Sequence, residues 1–125
     1  MILKIDFETK RFPCYYNALG ISIIKESLKA SDEEYYKKLY FYKEKSNKAT
    51  KNFSYSIFIK DYTLENTEFI VNDRVTMYLS TPDLEFGLKI YNGFVKKKQY
   101  KYKEYELKKI RVDLVKEKKI TKEQV

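Results

Sequence analysis

The chain contains no histidine, no tryptophan and a single cysteine, Cys14. Without histidine it lacks the side chain that most often acts as a general base near neutral pH, so any catalysis would need another group. A lone cysteine cannot form an internal disulfide, and the chain has neither a second cysteine nor a histidine that could bind a metal together with Cys14. We therefore expect no metal, no cofactor and a reducing compartment, the cytoplasm.

Long apolar runs are also missing, and none approaches the ~20 residues that cross a bilayer. Residues 1–6 alternate between apolar and polar types and include an early acid, which predicts a strand and not a signal peptide. Hydrophobic residues nevertheless make up 43% of the 125 residues, which suffices for the core of one domain and excludes a disordered chain. We expect no membrane association.

The charge is positive and unevenly distributed. The formal net charge is +8. Residues 96–125 hold 12 Lys and Arg against 5 Asp and Glu, whereas residues 1–95 hold 14 against 13. A concentrated basic segment attracts phosphates through counterion release, which indicates nucleic acid. The alternative is that these lysines only solvate a strand and a tail, in a chain whose composition reflects an AT-rich genome.

The first half of the chain reads as a strand followed by two helices. Residues 3–7 alternate as a half-buried strand, and residues 16–29 carry apolar side chains at helical spacing. Asp32 can cap a shorter helix that carries acids in its first turn and ends near Tyr40. Residues 43–52 form a polar, basic loop.

The second half predicts three more strands and one more helix. Residues 53–59 and 75–79 alternate as strands on either side of a polar turn at residues 66–68, and a final long strand covers residues 100–115. Residues 116–125 form a charged tail.

The helix between the last two predicted strands has recognisable ends. Thr81 is a good N-cap with Pro82 at the first helical position, and Asn92–Gly93 supplies the C-terminal stop. Its apolar stripe consists of Leu84, Leu88 and Tyr91.

The predicted order is strand, helix, short helix, strand, strand, helix, strand. Two such strand–helix–strand halves build an α+β, ferredoxin-like domain, whose antiparallel sheet carries its helices on one face. We expect residues 1–115 to form this single domain.

Several short motifs, taken in order, resemble the N-terminal half of the CRISPR-associated repeat-processing endoribonucleases of the RAMP superfamily. They are Met1–Ile5, Tyr16–Asn17, Phe53–Ser56, and Ser80–Asp83 with Phe86 and Gly93. The resemblance spans the whole chain but only the first of the family's two ferredoxin-like domains. It implies a protein that binds CRISPR repeat RNA and cuts the precursor without a metal, by attack of the 2′-hydroxyl on the adjacent phosphate.

The resemblance also implies positions for catalytic groups. The family's histidine falls at Tyr40, its lysine matches Lys51, and its first-helix tyrosine falls near Ile24 and has no match. Lys48 could add charge near the phosphate. An unperturbed tyrosine titrates near 10 and is a weak base at neutral pH, so the sequence leaves cleavage open. The alternative for Tyr40 is simple packing of an amphipathic helix.

RNA contacts are expected from the loop before residue 53 and from a basic strip. The strip consists of Lys96, Lys97, Lys98, Lys101, Lys103, Lys108, Lys109 and Arg111. Tyr100 and Tyr102, followed by Tyr105, interleave with these cations and could stack on bases while lysines hold phosphates. The alternative is that the tyrosines line a sheet face as ordinary strand formers.

A second hypothesis is a non-catalytic protein-interaction or scaffold module of a CRISPR surveillance complex. Its partners would be other Cas proteins or a second copy of the chain. The missing histidine favours it, as does the lack of the family's glycine-rich loop, which belongs to the second domain. An isolated ferredoxin-like domain also leaves unpaired edge strands that invite a partner. A third hypothesis, a small regulator that binds a metabolite or ion, has no supporting motif.

Overall fold

The structure is a computed structural model, and it describes residues 1–40 and 53–115. The helices within these ranges are α1 (Asn17–Ser31), α2 (Glu33–Tyr40) and α3 (Leu84–Lys96). The strands are β1 (Ile2–Glu8), β2 (Arg11–Pro13), β3 (Ser54–Ile59), β4 (Tyr62–Glu65), β5 (Glu68–Val71), β6 (Val75–Ser80), β7 (Gln99–Tyr102) and β8 (Tyr105–Val115). The predicted basic loop and charged tail lie outside the described residues.

The main sheet has five strands in the order β3-β6-β1-β8-β7, and all neighbouring strands are antiparallel. α1 lies in the connection from β1 to β3, and α3 lies in the connection from β6 to β8, so each strand–helix–strand half returns its second strand to the same sheet. This arrangement confirms the predicted α+β, ferredoxin-like fold. β7 extends the sheet beyond β8.

The core lies between one face of this sheet and the helices. Leu3, Ile5 and Phe7 alternate along β1 and are almost completely buried. Their cross-strand neighbours on β6 are buried as well, because directly opposite residues in antiparallel strands point to the same face. Phe94 of α3 packs edge-on against Phe7, with ring centroids 6.4 Å apart. The other sheet face is covered by none of the described helices and is called the open face below.

The ends of α3 differ from the prediction. The N-cap is Asp83 and not Thr81, because the Asp83 carboxylate accepts hydrogen bonds from two first-turn N–H groups at 3.0 and 3.2 Å. Pro82 therefore precedes the helix. Gly93 does not end α3 either, since the helix continues for three more residues. A side chain at Gly93 would overlap the backbone of Ser27, so this glycine allows α1 and α3 to touch.

The buried side of α3 also differs from the prediction. Both leucines of the expected stripe of Leu84, Leu88 and Tyr91 are exposed, and only Tyr91 packs in part against the core. The helix instead buries a second apolar set, Phe86, Ile90 and Phe94. Both sets repeat at helical spacing, so periodicity alone could not choose between them.

Two further features were absent from the prediction. The final strand is interrupted at Lys103 and Glu104, which form the turn of the β7–β8 hairpin, and Lys103 has a φ of 56°. A second, three-stranded sheet in the order β2-β5-β4 lies beside the main one. Its turn at Asn66, with φ 53°, was expected, but Glu68 already belongs to β5.

No helix in the described ranges is long and apolar enough to cross a membrane.

Candidate nucleic-acid interface

Two rows of side chains cross the open face of the main sheet. The first row is Phe58, Thr76, Asp6 and Arg111. The second row is Ser56, Tyr78, Lys4 and Asp113. Within a row each residue lies directly opposite the next on the neighbouring strand, so their side chains share one face. These rows place aromatic and cationic side chains together.

The aromatic side chains of the rows are accessible. Phe58 is 59% exposed and Tyr78 is 39% exposed. They lie on adjacent strands, and Tyr78 is two residues beyond the direct partner of Phe58. Such diagonal neighbours are roughly 7–8 Å apart, close enough for two rings to hold two neighbouring bases.

Cations flank the two rings. Lys4 lies directly beside Tyr78 on β1, and Arg111 ends the row that begins with Phe58. The Arg111 guanidinium contacts the Asp113 carboxylate, with Nε 3.0 Å from Oδ2, and remains exposed. This surface pair is weakly held, so a phosphate can compete for the guanidinium. The open face continues over β8 and β7, where it carries Lys108 opposite Glu8 and Lys101 opposite Glu106.

The acidic residue at the centre of the open face is neutralised by its neighbours. The buried Asp6 carboxylate accepts a hydrogen bond of 2.7 Å from the Thr76 hydroxyl. The Arg74 guanidinium lies 3.6 Å from its other oxygen. Asp6 therefore contributes to the cohesion of β1 and β6 and adds little negative charge where a phosphate would approach.

The predicted basic strip separates into groups with different surroundings. Lys101, Lys108 and Arg111 lie on the open face, whereas Lys96, Lys97 and Lys98 follow one another at the end of α3 and the connection to β7. The strip therefore does not form one continuous surface.

Lys109 is a correction to the predicted RNA contacts. Its ammonium group donates to the carbonyl oxygens of Phe94 and Val95, the latter at 3.3 Å, near the C-terminal end of α3. Burial, and secondarily the charge of Lys98, lowers the pKa of Lys109. Its donors are directed into the protein, where they satisfy helix carbonyls, so we assign it a structural role.

Tyr100 is a second correction, because it lies in the core and cannot stack on a base. Its hydroxyl shares a 2.7 Å hydrogen bond with the Ser27 hydroxyl, and its ring packs edge-on against Phe7 at 5.7 Å. Burial raises the pKa of Tyr100 above its ordinary value. For this residue the alternative prediction, an ordinary strand former, is the right one.

Tyr102 lies on the same, helix-covered face as Tyr100, because the two lie two positions apart along β7. Tyr105 shares this face, because it lies directly opposite Tyr102 in the β7–β8 hairpin. The ammonium of Lys103 lies 5.5 Å from the Tyr102 ring centroid, and the Tyr105 hydroxyl donates to a Glu68 carboxylate oxygen at 2.7 Å. The hydrogen bond to Glu68 and burial raise the pKa of Tyr105 to about 12. Lys101 therefore points to the open face, whereas the three tyrosines lie on the helix-covered face.

This architecture is shared by known structures, although the sequence matches no known family. No model of a known protein family matches the chain, and no curated protein sequence matches it. Solved structures do match, and three of them match over 95% of this chain. One is described as a RAMP protein binding different RNA substrates. It is 19% identical in sequence to this chain, the TM-score is 0.74, and the match covers 50% of its length. The chain therefore shares its fold with about half of this RAMP protein.

Two further structures with this fold are a CRISPR-associated protein Cas6 and the product of a Cas6-related gene from Pyrococcus furiosus. Their identities are 17% and 20%, with TM-scores of 0.65 and 0.67. The match covers 50% and 49% of their lengths. The chain thus spans about half the length of the solved structures it matches.

Within this RAMP fold, the predicted catalytic positions lie partly outside the described residues. Tyr40 ends α2, where its ring lies 5.3 Å from the Tyr36 ring and 5.0 Å from the Lys25 ammonium. Burial, with a smaller contribution from Tyr36, raises the pKa of Tyr40 to about 12. Tyr40 is therefore deprotonated even less at neutral pH than a free tyrosine, which makes it a poorer candidate for a general base. Lys48 and Lys51 stay predictions, because the structure does not describe them.

The sequence prediction missed Phe58, Tyr78 and Lys4 as RNA-binding candidates. All three lie in strands that were predicted, at positions that alternate with the buried ones. An aromatic residue at an outward strand position is the pattern that could have identified Phe58 and Tyr78. The concentration of lysines after residue 95 drew the prediction to β7 and β8, whose open face carries Lys101, Lys108 and Arg111.

Proposed function

We propose that this chain binds CRISPR repeat RNA and holds single-stranded bases of that RNA on the open face of its main sheet. The observation that carries the proposal is the pair of exposed rings, Phe58 and Tyr78, with Lys4 and Arg111 in the same two rows. Four-stranded sheets with exposed aromatics hold two or three bases in RNA recognition motifs. The cations supply the sequence-independent attraction to phosphates.

The similar structures support RNA as the ligand, since one is a RAMP protein binding different RNA substrates and another is a Cas6 protein. Because this chain spans half of their length, we propose that residues 1–115 act as one ferredoxin-like half of such a protein. We further propose that it acts in the cytoplasm, where precursor CRISPR transcripts are made.

We propose recognition, and not cleavage, as the role of these residues. A base for the 2′-hydroxyl works best with a pKa near the operating pH, and the chain has no histidine. Tyr40, with its pKa raised to about 12, stays protonated at neutral pH. Lys51 and Lys48 remain candidates for holding charge near a phosphate.

The test is an anisotropy titration of a labelled repeat RNA from the same genome. The double variant Phe58→Ala/Tyr78→Ala should bind at least tenfold more weakly, because each stacked base contributes about 1–3 kcal/mol. Tyr15→Ala is the matched control, since Tyr15 is also an exposed aromatic but lies in the loop before α1. Lys4→Ala should reduce the slope of log affinity against log salt by about 0.7.

Each part of the proposal can fail separately. Unchanged affinity in the double variant would overturn the open face as the binding surface. Equal affinity for a scrambled RNA of the same length would overturn the CRISPR repeat as the preferred ligand. A specific cut in a sample aged without magnesium, abolished by Lys51→Ala, would overturn recognition without cleavage.

A second candidate is a non-catalytic scaffold that contacts other Cas proteins or a second copy of the chain. The observation that favours it is the exposed apolar side of α3, which includes Leu84 and Leu88. Partner binding that persists at high salt, with no retained RNA, would select this function over the first.

A further inference from the structure

α3 has a second apolar side, most of which lies outside the core. Its outer stripe consists of Leu84, Leu88, Tyr91 and Val95. Leu84 is 63%, Leu88 55% and Val95 47% exposed, and Tyr91 is half-buried. The spacing of four, three and four residues keeps these side chains within one narrow face of the helix, as in the a and d positions of a coiled-coil seam. Three aliphatic side chains so exposed on one helix form a continuous patch.

The outer stripe is distinct from the faces that hold α3 in the fold. Phe86, Ile90 and Phe94 fill the core, and Gly93 touches α1. On the side nearer to α1 and α2, the Lys89 ammonium forms a 2.6 Å ion pair with Asp32. The stripe lies between the buried side and the polar side. Tyr91 packs in part against the core, but among the described residues no core contact requires Leu84, Leu88 or Val95 to be apolar.

The charges beside the stripe select an occupant. Glu85 lies in the first turn of α3 and Lys96 in the last, and both are exposed on the polar side that borders the stripe. A second α3 in parallel orientation would bring like helix ends together and would leave Glu85 of one copy at the opposite end from Lys96 of the other. In antiparallel orientation Glu85 of each copy approaches Lys96 of the other, and the two helix dipoles oppose one another favourably.

We propose that the outer stripe of α3 forms a weak homodimer, in which the α3 helices of two copies pack antiparallel about a two-fold axis. The interface is isologous, with Leu84 near Val95 and Leu88 near Tyr91 of the other copy. A helix of 13 residues is about 20 Å long, so the buried area falls below ~1,200 Å² and the dissociation constant should be roughly micromolar.

This dimer is independent of the proposed RNA surface. α3 lies on the helix-covered face, whereas Phe58 and Tyr78 lie on the open face. Each copy therefore keeps its open face accessible when α3 pairs. Dimerisation and RNA binding can then be measured, and can fail, separately.

Sedimentation velocity of the full chain without RNA, over a wide concentration range, tests the proposal. The wild type should shift from monomer to dimer as concentration rises, and Leu88→Glu should remain monomeric at concentrations where the wild type is mostly dimeric. Leu64→Glu is the matched control, because Leu64 is 56% exposed but lies on β4. Thermal melts establish that both variants fold, and both should retain wild-type affinity for RNA.

Charge exchange tests the orientation. Glu85→Lys and Lys96→Glu should each weaken the dimer several-fold, and the double variant should recover most of the loss. A monomer at every concentration, or equal effects of Leu88→Glu and Leu64→Glu, would overturn the homodimer and leave the stripe to another protein. Single charge variants that leave the dimer unchanged would overturn the antiparallel arrangement.

Discussion

Gly93→Ala tests the contact on which the packing of α1 against α3 depends. An added Cβ would lie 2.5 Å from the Ser27 carbonyl carbon and 3.1 Å from its Cα, and still closer to the carbonyl oxygen. Carbon atoms normally approach to about 3.5–4.0 Å. Because both partners are backbone, no side chain can rotate away, and the two helices must separate by about 1 Å.

Two opposing effects set the expected magnitude. Alanine gains about 1 kcal/mol over glycine inside a helix. Overpacking a core costs typically about 1–3 kcal/mol, and a clash between backbones belongs at the upper end of that range. We expect Gly93→Ala to lower the free energy of unfolding by about 2 kcal/mol. For a domain of this size that corresponds to a fall in Tm of roughly 8 °C.

Urea unfolding followed by circular dichroism measures the effect, and Gly87→Ala is the matched control. Gly87 lies in the same helix, but the first atoms its Cβ would meet belong to the flexible Met1 side chain. The control should therefore be neutral or slightly stabilising. If Gly93→Ala proves as stable as Gly87→Ala, α1 and α3 do not make the close contact described above.

Two further predictions concern buried polar contacts and acid stability. Ser27→Ala removes the hydrogen-bond partner of the buried Tyr100 hydroxyl and should lower the free energy of unfolding in urea by about 1–3 kcal/mol. Adding Tyr100→Phe should recover part of that loss. Full stability of Ser27→Ala would contradict the contact. Hydrogen bonds from Lys89 and from a backbone N–H lower the pKa of Asp32 below its ordinary value of 3.8. The stability that these contacts add to the folded state is present above pH 3.8 and is lost as the pH falls through the lower pKa of the folded state. Lys89→Met should reduce the acid dependence of the urea midpoint, and the exposed Lys10→Met should not.

The strands of the main sheet were predictable because alternation is a local property. Residues 3–7, 53–59 and 75–79 each show a period of two, and each forms a strand in the expected place. The cap of α2 was predictable for the same kind of reason, since the Asp32 side chain accepts from a backbone N–H only three residues away. These features need no knowledge of the rest of the chain.

The β7–β8 hairpin was harder to predict, because its turn lacks the residues that usually mark one. Lys103 adopts a positive φ without being glycine or asparagine, so residues 100–115 read as one strand. The β4–β5 hairpin was missed for a different reason. Its strands have four residues each, too few for alternation to distinguish them from a loop.

For the candidate RNA surface, the sequence indicated the type of ligand but not the face. The excess of positive charge favoured nucleic acid and the resemblance to RAMP endoribonucleases implied RNA, yet Tyr100 is buried and the Lys109 ammonium donates to carbonyl oxygens of α3. Because side chains alternate along a strand, Tyr100 and Lys101 must lie on opposite faces of the sheet. This alternation does not show which of the two faces the helices cover. Only the register across β3, β6, β1 and β8 brought Phe58, Tyr78, Lys4 and Arg111 together.

By itself, the sequence determined the order of the main strands and helices, the absence of histidine chemistry and the excess of basic charge. These follow from composition and from contacts between residues close in the chain. The tertiary structure decided which side of α3 is buried, because two apolar stripes compete for one core and only the shape of the sheet and α1 selects between them. It also decided which tyrosines are accessible, since burial depends on what packs above a strand and not on the strand itself.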